Sequence, residues 1–145
     1  MTFERSHRGF TISTDPGRLD LDVIHRYLSE ESYWARGRNR EVVERSVATS
    51  LNFGVYDGER QIGGARVVTD GVTFGWLCDL FVLPDHRGLG VGTALIRAVV
   101  EHPDVADLKR LVLATEDAHE LYRDVGGFAD LADPHRWMIR TGPTA

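Results

Sequence analysis

Residues 78–100 read CDLFVLPDHRGLGVGTALIRAVV, and the order of residue types here sets the architecture of the chain. Leu80, Phe81 and Val82 are apolar and strand-favouring, and Pro84 then removes a backbone donor and ends regular pairing. Asp85, His86, Arg87 and Gly88 lead into Leu89-Gly90-Val91-Gly92, and from Thr93 the apolar residues Leu95, Ile96, Val99 and Val100 recur at helical spacing. A strand therefore feeds a glycine-rich turn that opens a helix. Such a turn gathers backbone N–H groups at the positive end of a helix dipole, and glycines let a ligand approach the backbone, so the implied ligand is a phosphate group. Two common phosphate loops do not fit. A P-loop needs a Gly-Lys pair, which the chain lacks, and a dinucleotide G-x-G-x-x-G starting at Gly88 would have its last glycine at Thr93.

The flanking sequence alternates and turns. Phe53–Tyr56, Gln61–Thr69 and Val72–Val82 read as strands joined by Asp57-Gly58 and Asp70-Gly71, an antiparallel meander. Gly63 and Gly64 inside it fit either a bulge or a site of close packing. Upstream, Phe10 and Ile12 suggest a short strand closed by Asp15-Pro16-Gly17, then a helix from about Asp20 with Leu21, Ile24 and Leu28 on one face. Residues 29–39, SEESYWARGRN, read as a loop. A second helix from Glu41 carries Val42, Val43, Val47 and Leu51 and ends before Asn52.

Downstream, Pro103 stops the helix and Leu108–Ala114 reads as a strand, parallel to the one ending at Val82 because a helix joins them. Asp117-Ala118-His119-Glu120 has the form of a capping box, with Asp117 as N-cap, before a short helix with Leu121, Tyr122 and Val125 that Gly126-Gly127 halts. Phe128–Leu131 and Trp137–Arg140 are expected closing strands, and residues 141–145 a frayed end.

At 145 residues the chain fits a single domain, and a formal charge of −5 with interspersed signs argues against a general nucleic-acid surface. With one cysteine, Cys78, no internal disulfide can form, and no segment has the length or apolarity of a signal peptide or a membrane span. A reducing cytoplasm is the expected location.

Arg87-Gly88-Leu89-Gly90-Val91-Gly92 resembles the R/Q-x-x-G-x-G/A pyrophosphate loop of the GCN5-related N-acetyltransferases, the GNAT superfamily, which bind acetyl-coenzyme A. Leu121-Tyr122 with Gly127-Phe128 resembles the family's L-Y-x-x-x-G-F segment with one extra glycine, and LATEDAHELY resembles a branch of uncharacterised bacterial members. The resemblance covers nearly the whole chain. It implies an α/β (α+β) GNAT fold: a mixed, mostly antiparallel sheet flanked by about four helices, with one parallel strand pair at the cofactor site. It further implies that the backbone of Leu80, Phe81 and Val82 pairs with the pantetheine arm, and that the N–H groups of Arg87, Gly88, Leu89, Gly90, Val91, Gly92 and Thr93 hold the pyrophosphate. Asp117 stands where the family often holds an Asn beside that arm.

By the same resemblance the activity is acetyl transfer from acetyl-CoA to a primary amine of a small molecule or peptide, with no nucleic-acid or membrane partner; a non-catalytic coenzyme A binding or sensing domain is the alternative. Members are frequently dimers, and the final strands could form a homodimer contact. Transfer needs a neutral amine, a donor for the carbonyl oxygen and a proton for the departing thiolate. Tyr122 matches the family tyrosine that donates to the sulfur, or else anchors its helix. An N–H near Phe81 or Val82 is the expected oxyanion donor. Asp79 either deprotonates the amine or is a structural acceptor; Glu116 and His119 are weaker bases, and a water chain could serve instead. Tyr33 and Trp34 either shape an acceptor pocket for an apolar or cationic amine or plug their loop, and Arg36, Arg38 and Arg40 could recognise an acidic substrate but read better as a solvated face. Cys78 has no adjacent base and is not expected to be a nucleophile.

Overall fold

The computed structural model describes residues 2–143, in which six strands form one sheet in the order β1-β2-β3-β4-β5-β6. The strands are β1 (Glu4–His7), β2 (Phe10–Ser13), β3 (Leu51–Asp57), β4 (Arg60–Thr69), β5 (Phe74–Val82) and β6 (Arg110–Val112). All neighbours are antiparallel except β5 and β6, which run parallel through Phe74–Arg110, Gly75–Leu111 and Trp76–Val112. The helices are α1 (Leu21–Arg26), α2 (Arg40–Ala48), α3 (Val91–Glu101), α4 (Pro103–Ala106) and α5 (His119–Gly126). This is the mixed sheet with one parallel pair that the resemblance implies.

Local chemistry explains the turns. Gly58 and Gly71 take left-handed φ of 61° and 79° in the two meander turns. Asp70 accepts from the amides of Val72 (2.8 Å) and Thr73 (2.7 Å) and from the Thr73 hydroxyl (2.6 Å), which holds its carboxyl well below the usual carboxylate range. The sheet is covered on both faces. Val91, Leu95, Ala98 and Val99 of α3 join Phe53, Val55 and Val67 in one core; Ile24 of α1, Leu28 of the turn that follows it and Val43 of α2 close on Phe81 in the other. Leu95 is fully buried. Leu95→Ala is expected to destabilise the fold by roughly 2–5 kcal/mol, read from the midpoint of urea unfolding.

Close packing is the reading that holds at Gly63 and Gly64. A Cβ at Gly63 would lie 2.8 Å from the Phe81 carbonyl oxygen, and one at Gly64 3.0 Å from that of Phe53, so neither position has room for a side chain. The register also shifts beside them. Between the pairs Gly64–Phe81 and Arg66–Cys78, β5 carries one residue more than β4, so the bulge lies on β5, and Asp79 in it has φ of 53°.

Several expectations are corrected. The hairpin β1–β2 begins before Phe10, turning through Arg8 (φ 48°) and Gly9 (φ 84°). α2 ends at Ala48, so Leu51 starts β3 instead of closing the helix. The first part of the expected 29–39 loop is helical, because α1 runs on into a π-helical turn over Tyr27–Glu31. Pro103 not only stops α3 but opens α4 at the first helical position, where its missing N–H costs nothing. Asp117 does not cap α5: the helix starts at His119, Ala118 holds the cap position, and no side chain bonds the first-turn amides. The expected closing strands are absent from the described residues; 129–143 is exposed throughout and contains only the 3₁₀ turn Pro134–Arg136. Residues 144 and 145 of the expected frayed end lie outside the described residues. No helix among the described residues is long and apolar enough to cross a membrane.

Candidate active site

β5 and β6 part company after Trp76 and Val112. From Leu77 to Val82, β5 keeps its pairing with β4 but has no ladder partner on its other edge among the described residues. Strands of a parallel pair that separate in this way leave a slot at which backbone N–H and C=O groups face open space. The bulge at Asp79 bends β5 where the slot begins.

At the end of β5 the chain makes a 3₁₀ turn, Pro84–His86, and enters the glycine loop. Gly88 and Gly90 have φ of 81° and 75°, values a residue with a Cβ rarely adopts. Gly90 is the N-cap of α3, and no side chain caps that helix, so its first-turn amides are left for a ligand. The loop is braced from behind. His7 Nε2 contacts the Leu89 carbonyl at 3.0 Å, Arg8 donates to it at 3.4 Å, and Arg87 donates to the Val82 carbonyl (3.1 Å) and the Tyr27 hydroxyl (2.8 Å). The Arg87 side chain therefore fixes the loop from within the protein.

Strand edge and loop share one groove of about 480 Å³. Leu80, Phe81, Val82, Arg87, Gly88, Gly90, Val91, Gly92 and Thr93 all lie on its wall, and Tyr33, Trp34 and Asp117 close its other side. Leu89 does not, since its carbonyl is turned to the β1–β2 hairpin. Asp79 and Tyr122 are also off this wall.

Asp79 is 6% exposed at its side chain and saturated with donors. Trp34 Nε1 donates to Oδ1 at 2.8 Å, while Arg38 and Arg66 donate to Oδ2 at 2.8 and 3.0 Å. Arg66 also reaches the Ser50 hydroxyl at 3.1 Å. A general base must offer a free lone pair to the proton it takes, and this carboxylate faces cations instead. Its geometry is that of a fastening between the loop carrying Trp34 and the bulge of β5. The loop is also tied by Tyr33, whose hydroxyl accepts from the Glu116 amide at 2.9 Å and whose ring meets Trp34 edge-on at 5.1 Å. Arg38 thus leaves the solvated face expected for it, whereas Arg40 stays on it with Asp22 and Glu44.

Tyr122 lines a neighbouring groove of about 770 Å³ with Thr115, His119 and Phe128. Burial pushes its phenol up to about 12, helped by Tyr33 and Asp117 nearby, so it holds its proton at neutral pH and can donate it. Burial likewise pushes the Cys78 thiol up to about 11 against the opposing influence of Arg66, which leaves little thiolate for nucleophilic attack. Asp117, Glu116, His119 and Glu120 line a further open groove of about 890 Å³.

Sequence reasoning did not find Arg66, Tyr27 or the His7–Arg8 brace. Arg66 left a usable signal: a lone charge in the otherwise apolar run IGGARVV (62–68) requires a buried partner, and Asp79 is the acid of the adjoining strand. Tyr27, which opens the π-helical turn after α1 and stacks on Phe81 at 4.6 Å, left none.

The chain is similar to known proteins. The sequence profile of the acetyltransferase (GNAT) family matches residues 18–128. A candidate acetyltransferase of Gibberella zeae is 30% identical over 141 residues, covering 83% of this chain and 80% of the relative. The crystal structure of a candidate acetyltransferase of the GNAT family from Xanthomonas campestris pv. campestris is 43% identical, with a TM-score of 0.90 over 95% of this chain and 96% of that one. A protein from meticillin-resistant Staphylococcus aureus shares the fold at 20% identity and a TM-score of 0.72, covering 92% of this chain and 98% of its own. The profile spans the glycine loop, the slot beside β5 and Tyr122, and on that ground the chain belongs to the acetyltransferase (GNAT) family.

Proposed function

We propose that this chain is an acetyl-CoA-dependent N-acetyltransferase that moves the acetyl group directly onto a primary amine of a small molecule or peptide. The observation that carries the reading is the continuity of the uncapped α3 N-terminus with the unpaired edge of β5 in one groove. The amides of the loop suit a pyrophosphate, and the β5 edge suits an amide-containing arm laid alongside it as an added strand. Asp117, on the opposite wall, offers a carboxylate acceptor to that arm's N–H groups.

Bound acetyl-CoA supplies the activated acyl thioester. The Val82 N–H, on the side of β5 away from β4, polarises its carbonyl oxygen. Tyr122, protonated at neutral pH, gives its proton to the sulfur as the C–S bond breaks. Tyr33 and Trp34, exposed at the groove wall, receive the acceptor and offer their ring faces to a cationic or apolar amine. Asp79 holds Trp34 in that place, and the amine's proton leaves through water.

The test is to incubate the protein with acetyl-CoA and a panel of amines, follow free thiol, and identify products by mass spectrometry. Thiol release that depends on an amine, with an acetylated amine as product, is the expected result. Tight acetyl-CoA binding without turnover on any amine would instead assign a coenzyme A binding or sensing domain. Gly90→Val places a β-branched residue at φ 75° with its Cβ 3.3 Å from His7 Nε2. Coenzyme A binding by calorimetry is expected to fall by more than tenfold in that variant, and unchanged affinity would contradict the phosphate site.

A further inference from the structure

Asp79 meets more positive charge than it can balance. Arg38 and Arg66 donate to the same oxygen, Oδ2, at 2.8 and 3.0 Å, while Oδ1 takes the Trp34 indole N–H. Among the described residues Asp79 is the one carboxylate within ion-pair distance of either guanidinium, so two cations share one anion and one positive charge is left over. That charge has little water around it: the Arg66 and Arg38 side chains are 10% and 15% exposed. An unbalanced charge in such a place is costly. The loop is already tied to Asp79 by Trp34, and β4 to β5 by Arg66, so the fold does not need Arg38 there as a third tie.

The excess charge opens outward. Arg38 spends one N–H on Asp79, and Arg66 spends one on Asp79 and one on Ser50, which leaves most of the N–H groups of both guanidiniums unspent. The buried polar side-chain atoms without a partner among the described residues are the Tyr56 hydroxyl and His86 Nδ1, so the unspent N–H groups of the arginines reach solvent. Cys78, the cross-strand neighbour of Arg66, is only half-buried on the same part of the sheet. Trp34 joins this cluster to the groove wall, and Leu80, next after Asp79, lies on that wall too. The charge therefore stands beside the acceptor wall, at the end of the β5 edge away from the glycine loop.

We infer that Arg38 and Arg66 form a subsite for an anionic group of the acceptor, so that the acceptor is a small amine bearing a carboxylate. The inference rests on the transferase reading above and narrows its substrate. A carboxylate matches the single charge in excess, whereas a phosphate would bring about −1.5 to −2. Guanidinium forks also suit the planar carboxylate. The donor's phosphates belong to the uncapped end of α3, beyond the other end of the β5 edge, and do not compete for this place. The transfer itself is unchanged. The amine nitrogen bonds the acetyl carbon, the C–S bond breaks, the thiolate takes the Tyr122 proton, and the proton lost by the amine returns to the phenol through water.

Binding is read with coenzyme A present, from Trp34 emission in a chain carrying Trp76→Phe and Trp137→Phe. Glycine, β-alanine and glutamate are titrated against their amides at constant ionic strength. A saturable change with a carboxylate, roughly tenfold or more tighter than with its amide, is expected. Arg38→Gln leaves Asp79 paired with Arg66 and Trp34 in a balanced cluster, so the variant folds, and the carboxylate should lose that advantage. Arg38→Lys, which keeps the charge without the fork, should retain part of it. No carboxylate advantage in the wild-type cluster, or one that survives Arg38→Gln, overturns the inference. The two readings fail separately. Acetylation of neutral amines without preference for a carboxylate removes the subsite alone, whereas saturable carboxylate binding without turnover of any amine keeps the subsite and removes the transferase.

Discussion

Tyr122→Phe will lower kcat by about 10²–10⁴-fold, the range a positioned general acid contributes, and leave coenzyme A affinity nearly unchanged. The phenol lies off the wall of the groove proposed for the cofactor, so its removal does not touch the glycine loop or the β5 edge. The ring stays edge-on to Phe128 at 5.7 Å, and phenylalanine keeps that contact. The pH profile gives an independent check. Because burial raises the phenol to about 12, the wild type should show no alkaline fall in kcat from this group below about pH 10. The linkage has the same sign. A group whose folded pKa exceeds its unfolded value near 10 contributes stability that is complete below pH 10 and lost between about 10 and 12, and Tyr122→Phe removes that share of the alkaline loss. An unchanged rate and pH profile would withdraw the acid role.

Asp79→Ala should have the largest effect on stability, about 3–5 kcal/mol, because it strands the guanidiniums of Arg38 and Arg66 and the indole of Trp34 beside a buried gap. For a chain of this size that corresponds to a fall in Tm of roughly 6–20 °C. Alanine also takes on the left-handed φ of 53° that aspartate tolerates better. Asp79→Asn separates fastening from base chemistry. Asparagine still accepts from Trp34 but cannot balance two guanidiniums, so Tm and the Trp34 fluorescence should both move, with KM for the amine rising more than kcat falls. A kcat collapse at unchanged Tm and fluorescence would restore Asp79 as the base.

The glycine loop, the meander and the parallel return strand were legible in the sequence because each depends on neighbours in the chain. Gly88 and Gly90 announce left-handed backbone, Asp57-Gly58 and Asp70-Gly71 announce turns, and a helix between β5 and β6 fixes their sense. Of the two readings open for Asp79, structural acceptor is the one its three donors favour, but only Arg66, a charge inside an apolar run, left a trace in the sequence; Trp34 and Arg38 reach it from 45 and 41 positions away. The capping box failed for a local reason: α5 begins one residue later than Asp117 needs, and the pattern does not fix helix starts that closely. The closing strands failed because composition states a preference, whereas a ladder needs an edge to pair with.

The family profile begins at residue 18, yet the brace on the Leu89 carbonyl comes from His7 and Arg8, upstream of it. The loop thus has a control point outside the shared motif. Substitutions in the first hairpin can retune the pose of its amides, and so donor affinity, with every glycine of the loop left in place. A truncation designed on the family boundary would keep the motif and lose its support.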